Sequence, residues 1–186
     1  MLNKISDWIH SVSKGWVALS ALVIFVLFTA LVLPGQSTRA QVETRAAGSP
    51  DMSFFYTSDE LYQMAEAYGQ AGREAYIQAR FTFDLVWPLV YAIFLATAIS
   101  WLFQKAFPLE SFWQRMNLVP VLAALCDDLE NILTSLVMLQ FPNRMPLVAT
   151  LASVFTMGKW LLIGASFVLL IMGVVVGVWR WLKNNR

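Results

Sequence analysis

Long apolar runs separated by short polar turns set the pattern of this chain. Crossing about 30 Å of hydrocarbon takes about 20 apolar residues in a helix. Four segments reach that length: residues 16–34, 81–103, 118–140 and 147–181. In lipid each must be helical, because every backbone N–H and C=O needs a partner within the segment. The first, WVALSALVIFVLFTALVL, stops at Pro34-Gly35. Its 18 apolar residues exceed the about 7–15 of a signal-peptide core, so it reads as a retained anchor. The fourth is too long for a perpendicular crossing and must tilt or project. Pro88 and Pro120 are expected to bend the second and third spans.

Between the first two spans the pattern changes. Residues 35–56 are polar and rich in small side chains, ending in Phe54, Phe55 and Tyr56. The following stretch, TSDELYQMAEAYGQAGREAYIQAR, places Leu61, Met64, Ala65, Tyr68, Gly72, Ala75, Tyr76 and Ala79 on one helical stripe. Glu66, Gln70 and Arg73 fall opposite, and Thr57 with Glu60 three residues later forms a capping box. This amphipathic helix is expected to cap the bundle or to lie on the lipid headgroups. Four of the five tyrosines fall in this region, which suits an interface. No proline separates the helix from the second span before Pro88, so the two can run on without a break. The predicted fold is therefore all-α: a polytopic membrane protein with four transmembrane helices, an extracytoplasmic amphipathic helix within residues 35–80, and one transmembrane domain over residues 1–186.

Basic residues orient it. Lys4, Lys14, Lys105, Arg115, Arg180, Lys183 and Arg186 fall on one side of the four spans. Arg39, Arg45, Arg73, Arg80 and Arg144 are spread more thinly over the other. The positive-inside rule puts both termini in the cytoplasm and residues 35–80 outside. Trp16, Trp101, Trp113, Trp179 and Trp181 would then lie near the cytoplasmic interface, where indoles collect.

The third span carries what its own apolarity opposes. Asp127, Asp128, Glu130 and Asn131 sit in its middle, where a charge costs about 3 kcal/mol or more on insertion scales. Asp127, Glu130, Asn131 and Thr134 are three and four residues apart and share one face, while Asp128 points away from it. The turn FPNRMP is centred near Asn143, and 16 residues separate that centre from Asp127 on one side and Lys159 on the other. In an antiparallel hairpin the two lie at one depth, so Lys159 is the expected partner of Asp127 or Asp128. A similar count through a turn near Glu110 puts Tyr91 level with Glu130. Asp84 is four residues after Arg80 and is expected to pair with it locally.

Composition agrees with a membrane protein: 58% of the 186 residues are hydrophobic and 13% charged, against about 25% charged in soluble domains. A single cysteine, Cys126, excludes an internal disulfide and any thiol chemistry that needs a pair. His10 alone cannot build a histidine-rich metal site, and a net charge of +1 with no basic run argues against nucleic acid. No cofactor or metal is expected. Asp127-Asp128 with Glu130 resembles the aspartate-rich motif of intramembrane prenyltransferases, but those enzymes need a second such motif, which this chain lacks. Gly173 and Gly177 form a GxxxG pattern that permits close helix approach, within the bundle or between two copies in a homo-oligomer.

The string YTSDELYQMAEAYGQAGREAYIQARFTFDLVWPLVYAIFLA, taken with CDDLENILTSL, resembles small, uncharacterised four-helix membrane proteins of bacteria. That resemblance implies the inner membrane and no particular activity. The layout also resembles the EXPERA family, four-helix proteins whose membrane acids face a pocket for a lipid-like ligand. There Phe83-Asp84-Leu85-Val86 before Pro88 matches the acid at the start of the family's second helix, whereas the acid expected in helix one is missing. The acidic cluster with Lys159 reads either as a structural salt-bridge network that orients the four helices or as a functional site, and for a site three functions stay open. The leading one is binding of a small amphiphile or a membrane-protein partner at the acidic site. The others are carboxylate acid/base catalysis on a lipid-like substrate, with Glu130 or Asp127 as acid/base, and proton-coupled transport.

Overall fold

The computed structural model describes residues 2–36, 38 and 47–184; among these it is all-helical, with no strand. Part of the expected polar linker (residues 37 and 39–46) lies outside the described residues. The helices are α1 (Leu2–Val12), α2 (Gly15–Leu27, continued by a π turn over Phe28–Val32), α3 (Ser58–Arg80), α4 (Phe83–Ala106), α5 (Val119–Gln140) and α6 (Pro146–Asn184). Short 3-10 turns cover Pro50–Met52 and Phe112–Leu118. Three stretches are long and apolar enough to cross a membrane: Gly15–Gln36, Ser58–Ala106 and Pro146–Lys183. Helix α5 has the length but carries Asp127, Asp128 and Glu130, so apolarity alone does not place it with them.

Its exposed face says more than its mean composition. Leu122, Leu125, Leu129, Ile132, Leu136 and Leu139 are exposed, while Asp127, Glu130, Asn131 and Thr134 are buried.

The chain divides into two compact units where the sequence suggests a single domain. The first comprises Met1–Val26, Val90–Ala123 and Leu161–Arg186. There α1, which the sequence pattern did not reveal, packs on the Phe112–Leu118 turn through Ser6 and Ile9. Its 11 residues are too short to register as a span. Phe25 stacks on Phe94 at 4.8 Å. A Cβ placed on Gly173 would stand 3.0 Å from Leu102 Cβ and from the Phe103 ring, so that glycine lets α4 and α6 of the same chain approach. At Gly177 a Cβ would meet nothing within 4 Å.

The second unit comprises Leu27–Leu89 and Ala124–Trp160. Its core joins Tyr56 and the α3 residues Leu61, Tyr62, Ala65, Tyr68 and Tyr76 to Val137 and Met138 of α5 and to Ala149 and Ala152 of α6. These four tyrosines are 1–3% exposed, so they belong to a packed core instead of the interface expected for them. Both capping-box hydrogen bonds between Thr57 and Glu60 form. Gly69 interrupts α3 at φ 66°, ψ −177°, a conformation open essentially only to glycine. Across that kink Arg73 donates to Ala65 O at 2.9 Å and lies over the Phe141 ring, so it is half-buried where a solvated position was expected. A two-residue turn at Phe81 and Thr82 separates α3 from α4. Pro88 falls inside α4, but Pro120 is the second residue of α5, where its missing N–H costs nothing and no bend is required.

Candidate functional site

Helical spacing on α5 brings Asp127, Glu130, Asn131 and Thr134 to one buried face of the second unit. Helix α6 returns after a short turn and delivers Lys159, 4% exposed, to that face. Its Nζ lies 3.2 Å from Asp127 Oδ1 and 2.6 Å from Glu130 Oε2. The residue count through the turn and the measured geometry agree, and Glu130 joins as a second carboxylate.

A second triad is built the same way, one base between two acids. Arg80, in the last turn of α3, reaches Asp84 at 2.9 Å, four residues on in the first turn of α4. Its other face meets Asp51 Oδ2 at 3.0 Å. Asp51 stands in the Pro50–Met52 turn and accepts from Ser49 Oγ. Its main-chain oxygen accepts from Trp160 Nε1 at 3.2 Å, one residue beyond Lys159. Burial alone would raise the Asp51 carboxyl, but the Arg80 guanidinium and the Lys159 ammonium outweigh it and hold the group at about 2. Tyr56 closes the arrangement: its N–H donates to Ser153 Oγ at 3.1 Å, and its hydroxyl accepts from Thr156 Oγ1 at 3.1 Å. Burial, with Glu130 nearby, raises that hydroxyl, so it stays protonated.

The network is not self-sufficient. Glu130 is fully buried, yet Oε1 has no hydrogen-bond partner within the protein. Asn131, 3% exposed, has none for either amide atom. Buried polar groups are ordinarily satisfied, and each exception calls for a reason. Asp51, Asp84, Asp127 and Glu130 also outnumber Arg80 and Lys159 by two. Among the described residues no group of three or more His, Cys, Asp or Glu is arranged to hold a metal ion.

Beside the network, a groove of about 320 Å³ is lined by Ala47, Ser53, Phe55, Tyr56, Glu60, Gln63, Met64 and Ala67. Tyr56 therefore belongs both to the groove wall and to the network. Of the residues picked out from sequence, Asp127, Glu130, Asn131 and Lys159 come together, and Arg80 pairs with Asp84. Asp128 is half-exposed and off the face, and Tyr91 is buried in the first unit. Sequence reasoning missed Asp51 and Tyr56, because a loop carries no periodicity from which to infer contacts.

Fold and site together define an all-helical chain with three membrane-length apolar stretches and a buried ionic network. No protein family, characterised protein or solved structure matches it.

Proposed function

We propose that this chain is a four-span protein of the bacterial inner membrane, with both termini cytoplasmic, whose buried ionic network binds the head of a small amphiphile. The fourth span is α5, and the support for it is its leucine face turned outward over a carboxylate face turned inward. In a bilayer such a face must look into protein or a polar cavity. The observation that carries the binding reading is the set of unpartnered atoms: Glu130 Oε1 and the whole Asn131 amide are buried with nothing in the protein to satisfy them. A structural ion pair needs only its partner; a binding site keeps polar atoms for a guest.

The 2.6 Å contact between Lys159 and Glu130 favours one second reading. A carboxylate and an ammonium held that close suit acid/base chemistry on a lipid-like substrate. Lipid extraction from gently purified wild type and Glu130→Gln, followed by mass spectrometry, tests the binding reading. An amphiphile retained by the wild type and lost from a still-folded Glu130→Gln supports it; an empty wild type rejects it. Under the catalytic reading, the extracted compound is altered by wild type on incubation and left intact by Glu130→Gln.

A further inference from the structure

We propose that the segment from Ala47 to Tyr56 is a latch over the ionic site, that the groove beside it is the vestibule, and that the guest is an amphiphile with a cationic head. The proposal rests on the binding reading above and specifies its ligand class and its route of entry.

Asp51 and Tyr56 are the members of the network carried by a connecting segment and not by one of the long helices. That segment is held by a few fastenings that each involve a side chain. Tyr68 donates to Gly48 O at 2.6 Å, Arg80 holds Asp51, Trp160 donates to Asp51 O, and Ser153 and Thr156 hold Tyr56. Among the described residues no backbone–backbone hydrogen bond joins it to a helix. Its only such bonds are local, from Met52 to Ser49 and from Ser53 to Pro50. Packing of the Tyr56 ring in the core is the further hold that an opening must break. Breaking the Asp51–Arg80 contact removes the strongest fastening, because charge-assisted bonds exceed neutral ones.

Tyr56 decides where an opening leads. Its ring lines the groove, while its hydroxyl sits on Thr156 with Glu130 close enough to shift it. Tyr56 is thus the side chain shared by the groove wall and the ionic network. The groove offers Phe55, Met64, Ala47 and Ala67 to a short apolar chain and Glu60 to a positive charge. Inside, Glu130 Oε1 lacks a donor. An ammonium supplies that donor; an anionic head supplies none.

Cysteine accessibility tests the latch and the charge preference together. In a Cys126→Ser background, which removes the single native thiol, Asn131→Cys is exposed to membrane-impermeant cationic and anionic methanethiosulfonates. The closed latch predicts slow labelling. Adding Asp51→Asn should speed it at least tenfold, and the cationic reagent should outrun the anionic one at least tenfold after correction for their rates with a free thiol. An unchanged rate in Asp51→Asn overturns the latch, and equal corrected rates overturn the cationic preference. Ser135→Cys, 5% exposed on the same helix, replaces Asn131→Cys if that variant fails to fold, with the same expected outcomes. An amphiphile retained by wild type despite an unresponsive latch leaves the binding reading standing and removes only this proposal. A responsive latch on a wild type that carries no amphiphile removes the binding reading.

Discussion

Each compact unit buries a polar cluster, and the two clusters are made of different material. In the first unit no carboxylate, lysine or arginine takes part. Ser6 Oγ donates to Asn117 Oδ1 at 2.8 Å, and the Asn117 amide returns bonds to Ser6 O and Ser100 Oγ. Gln114 spreads one amide nitrogen over Phe103 O, Phe107 O and Pro108 O, while His10 bridges Ser100 and Gln114 O. Docking of α1 on the Phe112–Leu118 turn accounts for these bonds, with Gln114 Oε1 the one atom of the cluster left buried without a partner. Among the described residues all the buried charged side chains lie in the second unit: Arg80, Asp84, Asp127, Glu130 and Lys159. There the open atoms include a carboxylate oxygen and a whole amide. Polar burial alone therefore says little about function; charge together with unpartnered atoms separates a site from a fastening.

The asymmetry extends to the whole sequence. The first unit holds seven Lys and Arg against two Asp and Glu, the second six against ten.

Removing one partner of the ionic network should have the largest effect. Lys159→Met strands Asp127 and Glu130 in a buried site and should cost about 3–5 kcal/mol of stability in mild detergent. Adding Asp127→Asn and Glu130→Gln to it should restore most of that loss. If the triple variant is no more stable than Lys159→Met, the three do not form one unit. Acid comes next. The Asp51 carboxyl is held at about 2 against an ordinary 3.8, so its contribution is complete above about pH 4 and disappears as the pH falls through 2. The shift is worth about 2 kcal/mol. Unfolding midpoints followed from pH 5 to pH 2 should fall more steeply in wild type than in Asp51→Asn. Equal slopes would detach Asp51 from Arg80. The first unit's cluster should respond least: Asn117→Ala should cost about 1–2 kcal/mol, independent of pH over that range. A larger loss, or one that tracks pH, would erase the contrast between the clusters.

Much of this was legible in the sequence, for identifiable reasons. Apolar runs and their length mark α2, α4, α5 and α6, and an amphipathic stripe with a capping box marks α3. Helical period and equal counts through the Asn143 turn bring Lys159 to Asp127, because a short hairpin fixes depth. The same logic pairs Arg80 with Asp84 at i,i+4. It fails for Asp51 and Tyr56, which reach the site by tertiary folding of a loop. The tyrosines of α3 look interfacial by type, yet their neighbours on α5 and α6 bury them. Helix α1 escaped notice because its 11 residues are too short for a span and one of its two buried side chains, Ser6, is small and polar.

The most direct measurement is native mass spectrometry of the gently solubilised protein, run on wild type, Glu130→Gln and Asn117→Ala. A ligand site confined to the second unit predicts a bound amphiphile on wild type and on Asn117→Ala, and none on a folded Glu130→Gln. An empty wild type, or an amphiphile lost equally from both variants, would contradict it and reduce the ionic network to scaffolding.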